Sequence, residues 1–464
     1  MNYQPPRGVF DEAFFDDGRP RPLYGELIGA LARRDLAALA EAVAAEAAQR
    51  GVAFVHDGLS EPFTLDPVPR LIAAEEWSLL ERGLAQRVRA LDRFVADAYG
   101  DQEIVGAGLL PARALESCDH FEPRLVGLPP PPVRIGVAGL DLVRGSRGRF
   151  GVLEDNVRTP SGLAYALAAR ECLDAQLPAW LADGRRPLDD AAELLARTLR
   201  GAAPEGVSDP TTVMLSDGPE NGAWFEHERL ARLLDIPIVA LEDLSVRRGR
   251  LQARSGHARL GVDVLYRRTD EDRLSTEDGQ LTDVGATLLE PMEKGTLTCV
   301  NAFGTGVADD KLVHAYVEDI VRFYTREEPL LPSVRTYDPD LPDERDEVLD
   351  RIDELVIKPR TGHGGHGVVV AAHAEEGDVR AAARAVHADP GAFIAQETVM
   401  ISTHPTVIED RLEPRHVDLR PFVFLAGDDA LVLAGGLTRV ALDSGALVVN
   451  SSQRGGGKDT WVMR

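Results

Sequence analysis

The stretch Glu354 to Val370, ELVIKPRTGHGGHGVVV, holds the residue types that handle a polyphosphate. A short apolar run, Leu355 to Ile357, predicts a strand that delivers Lys358. Gly362, Gly364, Gly365 and Gly367 follow, and three valines then open a second strand. Glycines let backbone N–H groups approach phosphate oxygens with no Cβ in the way. A lysine ammonium adds a compact point charge for the same oxygens. The plain alternative is a hairpin with a glycine-rich turn. A Walker P-loop is excluded, because G-x-x-x-x-G-K-[ST] is absent and the lysine precedes the glycines.

The composition sharpens this reading. The chain has 51 Lys plus Arg, and only four are lysine: Lys294, Lys311, Lys358 and Lys458. Two adjoin glycine clusters, in IKPRTGHGGHG and in RGGGKD. Lys311 reads as a helix start among acids, apart from the phosphate group. His363 and His366 flank the loop glycines and read as solvent-exposed loop residues.

A second constellation is Asp141 in GLDLVR with Glu154 and Asn156 in VLEDNVR. On a strand Glu154 and Asn156 share one face, and Asp155 points the other way. Two carboxylates and an amide oxygen suit Mg²⁺, whose other positions go to phosphate and water. A polar strand end entering a turn is the plain alternative. For Asp141 and Glu154 to meet one cation, the hairpin between them must keep them on one face. An even loop does this, with a two-residue turn at Ser146-Arg147. A three-residue loop or a single bulge would turn Asp141 away.

A third piece is AFIAQETVM, where a strand ends at Gln396-Glu397 before Val399. Such a hinge can hold adenine and ribose through backbone groups and a carboxylate. HVDLRPFVF puts Asp418 and Arg420 on one strand face, and VVNSSQRGGGKDTWV carries Lys458.

The elements that must position these groups read as follows. Residues 1–127 are mostly helical, with long patterns at Tyr24 to Arg50 and Glu75 to Tyr99. Residues 128–200 hold a polyproline connector, a hairpin (Arg134 to Arg144, Arg149 to Asn156) and a helix. That helix is expected to open with Thr159 as N-cap and Pro160 behind it. Residues 201–345 alternate strand and helix, the pattern of a small open α/β domain, with a helix at Val313 to Tyr324. The run Thr336 to Arg345 reads as a polar loop at the boundary. Residues 346–464 are mainly strands, with one helix near Val379 to His387. Arg267 and Arg268 in LYRRTD read either as cleft residues or as a surface ion pair.

A net charge of −25 argues against nucleic acid and anionic membrane surfaces as partners. Three scattered cysteines suggest a reducing, cytoplasmic setting. The N-terminus has no signal-peptide pattern, and no stretch has the roughly 20 apolar residues of a membrane helix.

GLDLVR, VLEDNVRTPSG, YRRTD, VNAFGTGVADDK, VIKPRTGHGGHGV, VDLRPFVF, GGLTRVAL and VVNSSQRGGGKDTWV together resemble the circularly permuted ATP-grasp type 2 family, related to the glutathionylspermidine synthetase branch. The resemblance spans about Ile135 to Val462. It implies an α+β and α/β ATP-grasp fold, in which 201–345 resembles the substrate domain that usually precedes it. The acidic strands precede Lys358, the reverse of an unpermuted chain. The implied reaction joins a carboxylate to an amine with ATP and Mg²⁺, through an acylphosphate, releasing ADP and phosphate. Lys358, Lys458 and the loop glycines would hold phosphates, and Gln396, Glu397 and Val399 would hold adenosine. Asp141, Glu154 and Asn156 would hold the metal. Arg158 and Arg420 would meet the anionic substrate and the transferred phosphoryl, and the helix N-terminus after Thr159 a second anion. The alternatives are a phosphotransferase on the same scaffold and a nucleotide-binding partner protein without turnover. The expected partners are small amino-acid or peptide-like substrates, with a second copy of the chain as the remaining candidate.

Overall fold

The computed structural model describes residues 3–464 apart from Asp57, His257, Glu277, 362–366, Ser444 and 447–454. Its centre is an eight-stranded sheet drawn from three distant parts of the chain. The long strands Arg411–Ala426 and Asp429–Val440 form the middle. On one side Gly456–Val462 pairs with Asp429–Val440, and Arg70–Ile72 adds in parallel beyond it. On the other side Asp141–Arg144 pairs with Arg411–Ala426, and Phe150–Glu154 forms the edge.

The helix Ala74–Ala98 belongs to the core of this layer. Trp77, Leu80, Leu84, Val88, Leu91 and Phe94 recur every three or four residues, and all are buried. That apolar stripe is why the helix lies here. Removing one member, as in Leu84→Ala, costs about 2–5 kcal/mol.

A second, four-stranded antiparallel sheet runs Thr336–Tyr337, Phe393–Glu397, Leu355–Pro359, Val369–Val370. It meets the edge of the large sheet through residues 332–334. Val152 N–H donates to the Pro332 carbonyl at 2.9 Å, and Val334 N–H to the Val152 carbonyl at 2.8 Å. The expected polar loop at Thr336 to Arg345 is therefore a strand followed by the helix Pro342–Asp350. Tyr337 is wholly buried in the strand. Pro342 takes the first helical turn, where its missing N–H costs nothing, with Asp343 and Glu344 favouring the helix dipole.

A parallel sheet runs Thr298–Val300, Val264–Arg268, Thr212–Ser216, Ile238–Val239, with the helices Trp224–Leu234 and Asp283–Glu293 between its strands in sequence. Arg250–Ser255 stands apart, in an antiparallel sheet with Leu244–Arg247 and Ala258–Val262. The helix expected at Val313 to Tyr324 is two, Lys311–Ala315 and Val317–Thr325. The helix expected after Thr159-Pro160 begins at Leu163, with Gly162 as its N-cap at φ 120°. Cys118, Cys172 and Cys299 are buried and free. Among the described residues no helix is long and apolar enough to cross a membrane.

Candidate functional site

On the Leu355–Pro359 strand, Leu355 and Ile357 pack into a small core with Tyr337, Val386 and Ala395. Alternation then turns Lys358 to the opposite face. There its Nζ lies 3.3 Å from Glu154 Oε1, on the edge strand of the large sheet. Lys358 is nearly buried, while the Glu154 side chain is 42% exposed, so the pair opens to solvent on the carboxylate side.

The hairpin that carries Asp141 and Glu154 closes differently from expectation. Arg144 pairs with Phe150, Gly145 N–H donates to the Arg149 carbonyl at 3.1 Å, and Gly148 takes φ 71°. The loop is thus three residues, a turn ending in a left-handed glycine. A bulge then adds Leu153, so that Leu142 faces Val152 but Asp141 faces Glu154. Two one-residue shifts cancel, and Asp141 and Glu154 share a face as direct partners. Asn156 follows, its carbonyl accepting from Gly139 N–H at 2.9 Å. Asp155 points the other way. It takes two 2.6 Å hydrogen bonds from Arg87 and lies 2.8 Å from His314 Nδ1.

Asp141 is already engaged. Arg420 spans both its oxygens at 2.7 and 2.8 Å, and Arg439 reaches Oδ2 at 2.9 Å while also gripping Asp418. Burial alone would raise the Asp141 pKa, but Arg420 and Arg439 more than offset this and hold it at about 2. With its oxygens taken, Asp141 does not fit the expected role of metal ligand. Among the described residues no three His, Cys, Asp or Glu side chains gather to hold a metal. Glu154 and the Asn156 side-chain oxygen remain; the Asn156 Nδ2, a donor, is buried with no hydrogen-bond partner among the described residues. Two oxygen donors fit Mg²⁺, which fills its shell with phosphate oxygens and water.

Lys311, placed elsewhere by the sequence reading, belongs here. Burial lowers its pKa, Glu154 pushes it back up and Lys358 lowers it again, so all three groups share one field. Its Nζ donates to the Arg360 carbonyl at 3.3 Å. Lys311 opens the helix that carries His314, so the Asp155–His314 contact ties this helix to the Glu154 strand. The scarcity of lysine was the signal that could have found it.

The other expected residues divide. Gln396 sits on the Lys358 face, since Lys358 pairs with Ile394 and Val356 with Gln396. Its Nε2 donates to Thr336 Oγ1 at 3.0 Å. Val399 packs nearby with Val143, Leu153, Val334 and Ile401. Glu397 alternates to the other face, where Arg351 holds it at 2.9 and 3.0 Å and Tyr337 Oη donates at 2.6 Å, so its carboxylate is not offered to the cleft. Arg158 is held by Asp309 at 2.7 Å and Asp272 at 2.8 Å. Arg420 is the Asp141 clamp. Gly367 takes φ 72°, and a Cβ there would lie 2.8 Å from Pro359 Cγ. Gly362, Gly364 and Gly365, with His363 and His366, lie outside the described residues.

Two expected anion sites are closed by the protein itself. Lys458 is wholly buried, ion-paired with Asp66 and donating to the Pro405 carbonyl at 3.1 Å, so it has no charge to spare for phosphate. At the helix N-terminus, Glu226 Oε2 accepts from Gly162 N–H at 2.8 Å and Ala164 N–H at 3.0 Å. Arg268 pairs with the same carboxylate at 2.7 Å, so it is buried and not at the surface.

Residues 69–441 match the family described as circularly permuted ATP-grasp type 2. The chain belongs to that family. Permutation explains why the Asp141–Glu154 hairpin, far upstream of Lys358 in sequence, lies against it in space. The chain is 45% identical over 463 residues to an uncharacterized protein of Mycobacterium leprae, covering 98% of this chain and 82% of that one. It is 41% identical over 471 residues to a Frankia casuarinae protein with a provisional glutamate–cysteine ligase name. That match covers all of this chain and 54% of the Frankia protein, so the name belongs to a chain nearly twice as long. Its fold is shared with a glutathione synthetase-like effector of Globodera pallida, at TM-score 0.59 and 11% identity, covering 93% of this chain and 98% of that one.

Proposed function

We propose that this ATP-grasp protein is an ATP-dependent carboxylate–amine ligase that releases ADP and phosphate. The observation that carries the reading is Lys358 Nζ at 3.3 Å from Glu154, with Lys311 beside them, between the two sheets. Two lysines that act on one carboxylate, Lys358 in contact with it and Lys311 through its field, can neutralise a polyphosphate arriving over it. Adenosine would rest against Gln396 and Val399, and the backbone of Gly367 would border the phosphates. Mg²⁺, held by Glu154 and Asn156, would add charge neutralisation at the phosphates. The γ-phosphoryl group passes to the substrate carboxylate, and ADP leaves. The amine then attacks the acylphosphate carbon and expels phosphate. Such a reaction depends on positioning and charge more than on a side-chain nucleophile. The ligase name of the Frankia relative points to the same reaction class.

Hydroxylamine gives a direct test, since it traps an acylphosphate as a hydroxamate. The full chain with ATP, Mg²⁺ and a panel of amino acids and dipeptides should release ADP and form hydroxamate. AMP with pyrophosphate would overturn the γ-phosphoryl step. ADP with no hydroxamate would favour a phosphotransferase, and ATP binding without turnover a partner protein.

A further inference from the structure

Val264–Arg268 and Thr298–Val300 run parallel, with Tyr266 opposite Val300. Arg267 and Asn301 therefore emerge side by side at the carboxyl end of the sheet, where open parallel sheets receive ligands. Arg267 is 1% exposed, yet among the described residues its Nη1 has no hydrogen-bond partner. Its Nε donates to the Asn301 carbonyl at 3.3 Å, and the guanidinium lies 4.2 Å from the Phe303 ring centroid. Arg268, next in sequence, is paired with Glu226 and donates to the Pro160 carbonyl at 2.9 Å. Arg268 has an ion pair, although its Nε also lacks a partner among the described residues; Arg267 is buried with neither an ion pair nor, at Nη1, a hydrogen-bond partner among them, a costly arrangement unless something meets it.

Asp272 is the acid that acts most strongly on Arg267, against the larger effect of burial. Asp272 Oδ2 accepts from Arg158 at 2.8 Å and lies 3.6 Å from His120 Nδ1. No hydrogen bond to a described residue uses Oδ1. Among the described residues His120 Nδ1 is also without a hydrogen-bond partner, and burial followed by Arg158 lowers the His120 pKa. Both side chains press on Gly306, where a Cβ would lie 2.4 Å from His120 Cβ and 3.0 Å from Arg158 Cδ. Arg158 also acts electrostatically on Lys311 of the lysine cleft.

The cluster offers one unmet cation and one partly open carboxylate. Arg158 is already balanced by Asp309 and Asp272. A lone anion would answer Arg267 but face Asp272, Asp309 and Asp310. We propose that Arg267 and Asp272 form a subsite for the α-carboxylate and α-ammonium of an amino-acid-type substrate. A zwitterion meets both groups and adds no net charge to a chain at −25. The assignment of this ligand as substrate rests on the ligase reading; the subsite itself does not.

The test is titration calorimetry of the full chain with the twenty L-amino acids and glycylglycine. Each ligand that binds is repeated as its decarboxylated and deaminated analogue. At least one amino acid or the dipeptide should bind. Loss of either group should weaken it about tenfold or more, as should Arg267→Met or Asp272→Asn. Arg267→Met should have no further effect on the decarboxylated analogue, which a merely structural role would not produce. Arg267→Met should melt at or above the wild-type temperature, since it removes an unmet buried charge. If it does not fold, the analogue series on the wild type decides alone. No binding by any of these ligands, or binding indifferent to both analogues, would overturn the subsite. Affinity for ADP should stay within about twofold in both variants. Amino-acid binding in a chain that binds no nucleotide would sink the ligase reading and leave the subsite standing.

Discussion

Lys358 and Lys458 look alike in sequence, each beside a glycine cluster, and the fold gives them opposite surroundings. Lys358 meets Glu154 at 3.3 Å across a junction of two sheets, and Glu154 is open to solvent. Lys458 is sealed in the large sheet with Asp66, near Arg70, which itself grips Glu12 at 2.5 and 2.7 Å. One region keeps cations beside a group that a ligand can reach. The other pairs Lys458 and Arg70 with acids in the dry core. A glycine-flanked lysine indicates a phosphate site only where its charge is not already used.

The largest effect should separate the two regions by stability. Lys458→Met leaves Asp66 buried without its cation, and breaking such a pair costs about 3–5 kcal/mol. Chemical denaturation should show this loss, while the folded protein keeps its affinity for ADP. A variant with normal stability and weakened ADP binding would merge the two regions.

Lys311→Ala should weaken ADP binding by about tenfold with little change in melting, because it removes one of two cations from the cleft. An affinity equal to wild type would return Lys311 to a structural role.

Acid should attack both regions through their paired carboxylates. Burial raises the Glu12 pKa, but Arg144 and Arg70 bring it down to about 2, and Asp141 is likewise held at about 2. A carboxylate with a depressed folded pKa stabilises fully above its unfolded value and loses that contribution as pH falls through the folded one. Stability should therefore fall from about pH 4.5 toward pH 2. Denaturant midpoints measured across this range should flatten in Glu12→Gln, and an unchanged slope would remove Glu12 from the account.

The smallest effect is expected at Glu397→Gln. The Glu397–Arg351 pair is one-third exposed, and such pairs contribute about 0–1 kcal/mol. ADP affinity should be unchanged within about twofold, since the carboxylate lies on the far face of its strand. A tenfold loss would restore it to the adenosine site.

Local patterns were legible in the sequence. The Lys358 strand, the Ala74–Ala98 helix and the turn of Asp155 to the face opposite Glu154 follow from period and alternation alone. Features set by distant partners were not. Asp66 lies 392 residues from the Lys458 it neutralises, and Glu226 lies 64 residues from the helix end it fills. The Asp141–Glu154 pairing depended on an odd loop and a bulge cancelling; Gly148 marks the loop, but the bulge at Leu153 leaves no mark in residue type. Glu397 reads as an open carboxylate until Arg351 and Tyr337 are seen around it.

The central claim is that the Lys358–Glu154–Lys311 cleft receives nucleotide phosphates. Calorimetric titration of ADP with Mg²⁺ into the wild type and Lys358→Ala, with melting curves for both, tests it most directly. The account predicts binding in the wild type and a loss of about tenfold or more in Lys358→Ala, with closely similar melting. Equal affinity in the two proteins, or no nucleotide binding in either, would contradict it.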